Sequence, residues 1–292
     1  MIALVVNPSS GSGRGRRLGN EWAKALSQRN EPFELISEKS LHESLQKLRK
    51  GLSASRYTKI VSVGGDGLAH YLYSEAIAHD VALFVAPGGT GNDFARNSGT
   101  FGRSTDDLVS SLTATSPQRV DMGLIQMRGE KSWYGQVLSS GFDSKVNARA
   151  NRYSFAHGKL KYVIATFREL ASFVPQSYEV IIDGRRLEFN AMVFAVANGN
   201  CFGGGMKVCP DADRHDGLMD ILILDEVPIR TFLRVFPRLF NGTHINHPAV
   251  RIIRAKQIEI IRGEVIYADG EFVGEAPISI TSISGALKTW IL

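Results

Sequence analysis

The sequence predicts an α/β domain built on a parallel sheet, followed by a mainly antiparallel β domain, a sandwich or similar. Three observations predict it. Apolar periods alternate between strand and helix over roughly the first 120 residues. Glycine clusters fall directly after the first, third and fourth strands of that series. Past Asp121 the texture changes to apolar runs separated by Asp-Gly turns.

Ile2 to Val6 is a short apolar run that stops at Asn7-Pro8, a first strand. Leu18, Trp22 and Leu26 then share one face of a helix. Phe33 to Ile36 forms a second strand, and Leu41, Leu45 and Leu48 mark a second helix that ends near Gly51. Lys59 to Val63 is a third strand, a helical segment runs to Ala78, and Val81 to Val85 is a fourth strand. This βαβα order implies parallel strands covered by helices, whose ligands bind at the carboxyl edge of the sheet. In the second half, Gln176 to Asn198 reads as a hairpin turning at Asp183-Gly184. Asp269-Gly270 offers a similar turn between Val265-Ile266-Tyr267 and Phe272-Val273. Further strands are expected at Leu218 to Leu224, Val250 to Arg254, Ile258 to Ile261 and Pro277 to Ile283. Helical pattern survives only at Lys159 to Leu170 and Ile229 to Phe240.

Composition narrows the class. Of 292 residues, 43% are hydrophobic, enough to build a core and exclude general disorder. No apolar run reaches the ~20 residues of a membrane span, and Met1 to Pro8 lacks the basic flank of a signal peptide. A cytoplasmic protein is the expectation. With 34 Lys plus Arg against 29 Asp plus Glu, the net charge is +5, which suits nucleotides, anionic lipid surfaces or nucleic acid and chooses none. No nucleic-acid reading motif accompanies it, so no nucleic-acid partner is expected. Cys201 and Cys209 match no zinc spacing and are read as reduced bystanders.

The three glycine loops carry the chemistry. The first runs Asn7-Pro8-Ser9-Ser10-Gly11-Ser12-Gly13-Arg14-Gly15-Arg16-Arg17 into a helix. Glycines let backbone N–H groups approach a phosphate, and the helix start adds positive charge. It is neither a P-loop nor a dinucleotide fingerprint, because Arg16 stands where the third glycine belongs. A solvated loop is the bland alternative. The second, Gly64-Gly65-Asp66-Gly67, suits a phosphate or a magnesium-bound phosphate, with Asp66 its one charged oxygen donor; a simple strand-helix turn is the other reading. In the third, Pro87-Gly88-Gly89-Thr90-Gly91-Asn92-Asp93-Phe94-Ala95-Arg96, Thr90 can reach phosphate, while Asn92 or Asp93 can cap the next helix.

This string of loops resembles the diacylglycerol kinase catalytic-domain family, lipid kinases related to sphingosine and NAD kinases. The Pro87 to Arg96 segment is the most specific match. The resemblance continues through Arg119-Val120-Asp121-Met122-Gly123, Gly141-Phe142-Asp143, Gly158-Lys159-Leu160-Lys161-Tyr162, Gly203-Gly204-Gly205-Met206 to Asp220, and Asp269-Gly270-Glu271, in family order. It implies a Rossmann-like α/β nucleotide-binding domain over 1–122 and a β-sandwich domain over 123–285 carrying the lipid substrate and a metal site. The nucleotide would lie in the cleft between them, and a last strand near 286–292 would return to the first domain. ATP is implied against Asn7 to Gly15, with Ser10, Gly11 and Gly13 among the contacts, and against Gly65, Asp66, Gly67 and Thr90. Ser37 stands where relatives have a nucleotide-contacting threonine. The same resemblance makes Asp269 the base for the lipid hydroxyl and Glu271 a nucleotide-side ligand, against the bland reading of Asp269-Gly270 as a plain turn.

A structural Mg2+ is implied at Asp213-Arg214-His215-Asp216-Gly217-Leu218, through Asp213, Asp216 and the Leu218 carbonyl; without the resemblance this is an ordinary acidic loop. One departure stands out. The family continues Gly-Gly-Asp-Gly with Thr, any residue, Asn and Glu, whereas here Leu68-Ala69-His70-Tyr71 follows. The hydroxyl, amide and carboxylate of that motif are therefore missing.

Ile229 to Phe240 places Arg230, Arg234 and Arg238 at spacing four beside Phe232, Val235, Phe236 and Leu239. Such a segment can lie on an anionic membrane surface, or be a core helix with solvated arginines; Pro237 predicts a kink or a shortened helix. The resemblance thus implies an ATP- and Mg2+-dependent lipid kinase acting on a lipid alcohol, cytoplasmic and peripherally membrane-associated during turnover. The alternative is a nucleotide- or lipid-binding regulatory protein. An NAD kinase fits Pro87 to Arg96 poorly. The acceptor lipid is open, as is the oligomeric state, for which a homodimer is one option.

Overall fold

The computed structural model describes residues 1–140 and 174–292. The motifs at 141–143 and 158–162 and the helical pattern at 159–170 lie outside the described residues. The chain divides into two compact units: 1–122 with 203–205 and 283–292, and 123–202 with 206–282.

The first unit is a parallel sheet of β1 (Ile2–Val6), β2 (Phe33–Ile36), β3 (Lys59–Gly64) and β4 (Ala82–Pro87), in the order β4-β3-β1-β2. All five residues of β1 are buried, as expected of a strand covered on both faces. Ile2, Leu4, Val6, Val61, Val63 and Phe84 face Trp22 and Leu26 of α1 (Ser10–Gln28) and Leu108 and Leu112 of α5 (Thr105–Ala114). α3 (Asp66–Ala78) packs against β3 and β4 from the other side. α2 (Leu41–Ser53) starts at Ser40, whose hydroxyl accepts from the Glu43 N–H. It ends two residues past Gly51, near which the sequence predicts its end, and the Tyr57 ring lies where a Cβ of Gly51 would be. The short α4 (Asp93–Asn97) follows the third glycine loop. The C-terminal residues complete this core: Thr289 pairs in parallel with Leu83, and Trp290, 1% exposed, lies 5.4 Å from the Phe84 ring.

The second unit is antiparallel. Asp183 and Gly184, both with positive φ, turn β8 (Gln176–Ile182) into β9 (Arg185–Ala197), the hairpin expected from Asp-Gly. The long β9 pairs with β8 along its first half and with β7 (Val137–Ser140) and β10 (Met219–Asp225) along its second. β11 (Val250–Ala255) extends β10, and β12 (Gln257–Arg262) pairs with β8 and with β15 (Ile278–Thr289). β13 (Ile266–Ala268) and β14 (Glu271–Gly274) form the second Asp-Gly hairpin. β5 (Gln118–Met127) and β6 (Glu130–Tyr134) add a hairpin that the sequence reading missed. Tyr178, Val180, Phe194, Ile221, Ile258 and Ile280 form the shared core.

The segment 229–240 follows the core-helix reading of its two alternatives. It is a short helix, α6 (Ile229–Val235), and a 3-10 turn over Phe236–Phe240, shortened as Pro237 predicts. Phe232, Val235, Phe236 and Leu239 pack against Met192 and Leu224, so this apolar face is spent on the core and is not available to a membrane. Among the described residues no helix is long and apolar enough to cross a membrane.

Trp290 closes the first core from a segment remote in sequence. Trp290→Ala is expected to cost about 3–5 kcal/mol, the usual penalty for emptying a buried aromatic site, read as a lower urea midpoint for the first unit's tryptophan signal.

Candidate functional site

The glycine loops meet at the carboxyl edge of the first unit's sheet. The first leaves β1 at Asn7, whose N–H donates to the Val63 carbonyl at 3.0 Å and whose side-chain oxygen accepts from the Ser9 N–H and hydroxyl. Gly11, Ser12 and Gly13 all have left-handed backbone, so regular helix begins only after them. A Cβ on Gly11 would come within 2.6 Å of the Gly88 carbonyl oxygen, and one on Gly65 would meet the Gly89 Cα at 3.3 Å and the Ser10 hydroxyl at 3.6 Å. A Cβ on Gly89 would collide with the Gly65 Cα, and the Gly88 N–H donates to the Gly64 carbonyl at 2.7 Å. The three loops thus touch backbone to backbone.

Of the residues predicted to bind nucleotide, Ser10, Gly11 and Gly65 are part of this convergence. Asn7, Asp66 and Gly67 are half-buried beside it, whereas Gly13 and Thr90 are exposed. Ser37 is exposed at the end of β2, one residue past the Val5–Ile36 pair, on the same sheet edge.

The third loop is held in a way the sequence did not disclose. Neither Asn92 nor Asp93 caps α4. Asn92, with left-handed backbone, folds its amide back onto Gly89, accepting from its N–H at 2.8 Å and donating to its carbonyl at 2.9 Å. The first turn of α4 is instead served by Asp66 of the second loop, which accepts from the Phe94 N–H at 3.2 Å. Asp93, 6% exposed, accepts from the Gly204 and Gly205 N–H groups at 2.8–3.0 Å, and the Gly203 amide also stabilises its anion. Burial pushes the Asp93 carboxyl above the usual carboxylate range, against the pull of those amides and of Arg96. Gly203, Gly204 and Gly205 have φ of 64°, 86° and 102°, a run in which side chains are strained. Asp66 and Asp93 flank Gly91: a Cβ there would sit 2.8 Å from one carboxylate and 3.4 Å from the other.

Leu68, where the family motif has a polar residue, is 6% exposed and packs under Gly64. Tyr71 is 43% exposed and meets His70 edge to face, with ring centroids 5.7 Å apart.

In the second unit Asp269 occupies the β13–β14 turn with left-handed backbone. Its Oδ2 accepts from the Gly135 N–H at 2.8 Å, and its Oδ1 from the Gln136 and Val137 N–H groups at 2.8 and 3.2 Å. Its own N–H donates to the Val137 carbonyl at 3.0 Å. The turn therefore does more than reverse the chain: it presents a carboxylate oriented by three amides. Glu271 is half-buried at the start of β14, and the neighbouring Phe272 is 65% exposed.

In the acidic loop, Asp213 accepts from the His215 N–H and ring nitrogen at 3.0 and 3.1 Å. Asp216 accepts from the Leu218 N–H at 2.8 Å and pairs with Arg254. Burial pushes the Asp220 carboxyl up; Arg254 opposes this, while Asp216, Asp211 and Asp213 reinforce it. Among the described residues no three His, Cys, Asp or Glu side chains cluster as a metal site. The hard-oxygen set of the loop fits a cation only if Asp216 exchanges Arg254 for it.

Comparison with known proteins agrees with this architecture. Residues 1–125 match the diacylglycerol kinase catalytic domain, and residues 136–291 match the YegS C-terminal NAD kinase beta sandwich-like domain. The chain is 31% identical over 290 residues to a diacylglycerol kinase of Mycobacterium tuberculosis, covering 98% of this chain and 94% of that protein. It is 26% identical to a diacylglycerol kinase of Bacillus subtilis, covering 94% and 90%. A crystal structure of a diacylglycerol kinase from Bacillus anthracis shares the fold with a TM-score of 0.78 at 22% identity, covering 100% of this chain and 96% of that one. The parallel α/β domain and the β-sandwich domain correspond to the two domain models matched. The chain belongs to the diacylglycerol kinase catalytic-domain family.

Asp93→Ala would leave the amides of the Gly203–Gly205 run without their carboxylate acceptor and is expected to cost about 1–2 kcal/mol. Asp93→Asn, which keeps an accepting oxygen, should recover part of the loss in the denaturant midpoint.

Proposed function

We propose that the protein transfers the γ-phosphate of ATP to the hydroxyl of a diacylglycerol-like lipid at an anionic membrane surface. The observation that carries this reading is the backbone convergence of the three glycine loops at the carboxyl edge of the parallel sheet, where phosphates bind in such folds. Membership of a lipid kinase family supports it.

In this reading Asn7, Ser10, Gly11, Gly13, Ser37, Gly65, Gly67 and Thr90 orient the nucleotide, and Glu271 is a nucleotide-side ligand. Asp66 supplies the charged oxygen for Mg2+, whose part is to neutralise phosphate charge. The loop with Asp213, Asp216 and the Leu218 carbonyl offers a second, structural Mg2+ position, in competition with Arg254. Asp269 accepts the proton of the lipid hydroxyl as that oxygen bonds to the γ-phosphorus and the bond to the leaving ADP breaks. Its anchoring amides in Gly135–Gln136–Val137 fix the carboxylate's direction. Positioning and electrostatics thus do most of the catalytic work.

A second reading, a nucleotide- or lipid-binding regulatory protein, is favoured by one observation. In the segment after Gly67 the buried Leu68 brings no hydroxyl, His70 no amide and Tyr71 no carboxylate.

Transfer of labelled γ-phosphate from ATP with Mg2+ to diacylglycerol, phosphatidylglycerol and sphingosine in mixed micelles, with NAD as soluble control, separates the two readings. Label on diacylglycerol is expected; ATP binding with no label on any acceptor would favour the regulatory protein. Asp269→Ala strips three amides of their acceptor as well as removing a base, so Asp269→Asn is the cleaner variant. It should lower turnover about 10²–10⁴-fold, the usual worth of a general base, with ATP affinity kept. Gly89→Ala forces the loops apart and should instead weaken ATP binding, measured by titration calorimetry.

A further inference from the structure

Residues 227–258 contain no Asp or Glu, yet carry Arg230, Arg234, Arg238, Arg251, Arg254 and Lys256. The structure divides these cations into two groups. Arg251 pairs with Asp225, and Arg254 with Asp216, so their charge is answered within the fold. Arg230, Arg234 and Arg238 are all exposed and make no ion pair among the described residues.

Packing fixes where these three point. Phe232, Val235, Phe236 and Leu239 are 0–8% exposed and anchor α6 and the following turn to the core. Arg230 and Arg234, one turn apart, therefore stand together on the solvent side, and Arg238 continues the row in the 3-10 turn. Phe240, 55% exposed, ends the same segment, with Pro237 also exposed. The result is a row of guanidinium groups, without ion-pair partners among the described residues, with an aromatic ring at its end.

We propose that this row is the face by which the protein docks on an anionic phospholipid bilayer, the arginines meeting headgroup phosphates and Phe240 entering the interfacial layer. The proposal rests on the lipid-kinase reading for its choice of partner. Guanidinium groups bind phosphate in bidentate fashion, and an aromatic ring beside them suits the headgroup–acyl boundary. A purely electrostatic partner such as a nucleic-acid backbone would leave the exposed Phe240 unused. This differs from the amphipathic-helix reading of the sequence, because docking uses the arginine face and not the apolar one.

The test is co-sedimentation of the full chain with vesicles of phosphatidylglycerol and phosphatidylcholine in equal parts, against phosphatidylcholine alone. At about fivefold in affinity per arginine near an anionic surface, the triple variant Arg230→Gln, Arg234→Gln, Arg238→Gln should bind the anionic vesicles about 100-fold more weakly. Lys24→Gln, Lys50→Gln and Lys131→Gln together remove equal charge from other exposed positions and should bind nearly as the parent does. Phe240→Ser should weaken binding further without changing its salt dependence. Circular dichroism melting of each variant verifies that the fold is kept. Unchanged binding of the arginine variant, or an equal loss in the lysine variant, overturns the proposal, as does an arginine row that retains an acidic protein or RNA but not vesicles. Because the assay reads binding, its outcome is separable from the kinase reading. Label transfer with arginine-independent docking sinks only the docking face, and arginine-dependent docking without transfer to any lipid sinks only the kinase.

Discussion

The close approach of three loop backbones is the constraint on which the rest of the first unit depends. Gly11 lies against the Gly88 carbonyl and Gly89 against the Gly65 Cα, at distances that admit no side chain on Gly11 or Gly89. This is possible only because β1, β3 and β4 are parallel neighbours in register, so their loops leave the sheet at one edge. The apolar strands and the covering helices are what hold that edge in place. Glycine here serves contact as much as backbone freedom: a methyl group on Gly89 would push the second loop away from the third.

A second theme is the use of consecutive backbone amides to hold a buried carboxylate. Asp93 takes them from the Gly203–Gly205 run, and Asp269 from Gly135, Gln136 and Val137. The amides offset the loss of hydration that burial imposes on a charge. They also fix the direction of the carboxylate more rigidly than a solvated side chain could be fixed. For Asp93 the result is a tie between the third loop and a segment more than a hundred residues away in sequence. For Asp269 it is a carboxylate aimed by its neighbours' main chain, in a turn that would otherwise be ordinary.

The arginines show how one composition serves two ends. Arg251 and Arg254 are held by carboxylates of the same unit, and Arg254 ties β11 to the acidic loop. Arg230, Arg234 and Arg238 have no such answer among the described residues, and the apolar residues between them are consumed by the core. An amphipathic pattern in sequence therefore has two possible uses, and the packing of its apolar side decides which remains. Here that side belongs to the core, and only the charged side faces outward.

Much of the fold was legible in the sequence. The strands at 2–6, 33–36 and 59–63, the helices between them and the two Asp-Gly hairpins follow from hydrophobic period and turn chemistry, which are local properties of the chain. The glycine loops were legible for the same reason: their residues are contiguous. Elements with weaker local signals were not. The short helix α5 carries its signal in one cap, Ser104 accepting from the Asp107 N–H, and the hairpin of β5 and β6 turns at Arg128-Gly129, a positive-φ pair that no Asp-Gly announces. The site divides in the same way. The sequence by itself marked Asp66 and Thr90 as chemically notable, and Asp269 was marked only through the family resemblance. Only the tertiary structure decided that Asp66 serves the amide of Phe94, that Asp93 is bound by Gly204 and Gly205, and that three amides hold Asp269. The donors are main-chain groups distant in sequence, and an amide N–H carries no signature in the identity of its residue.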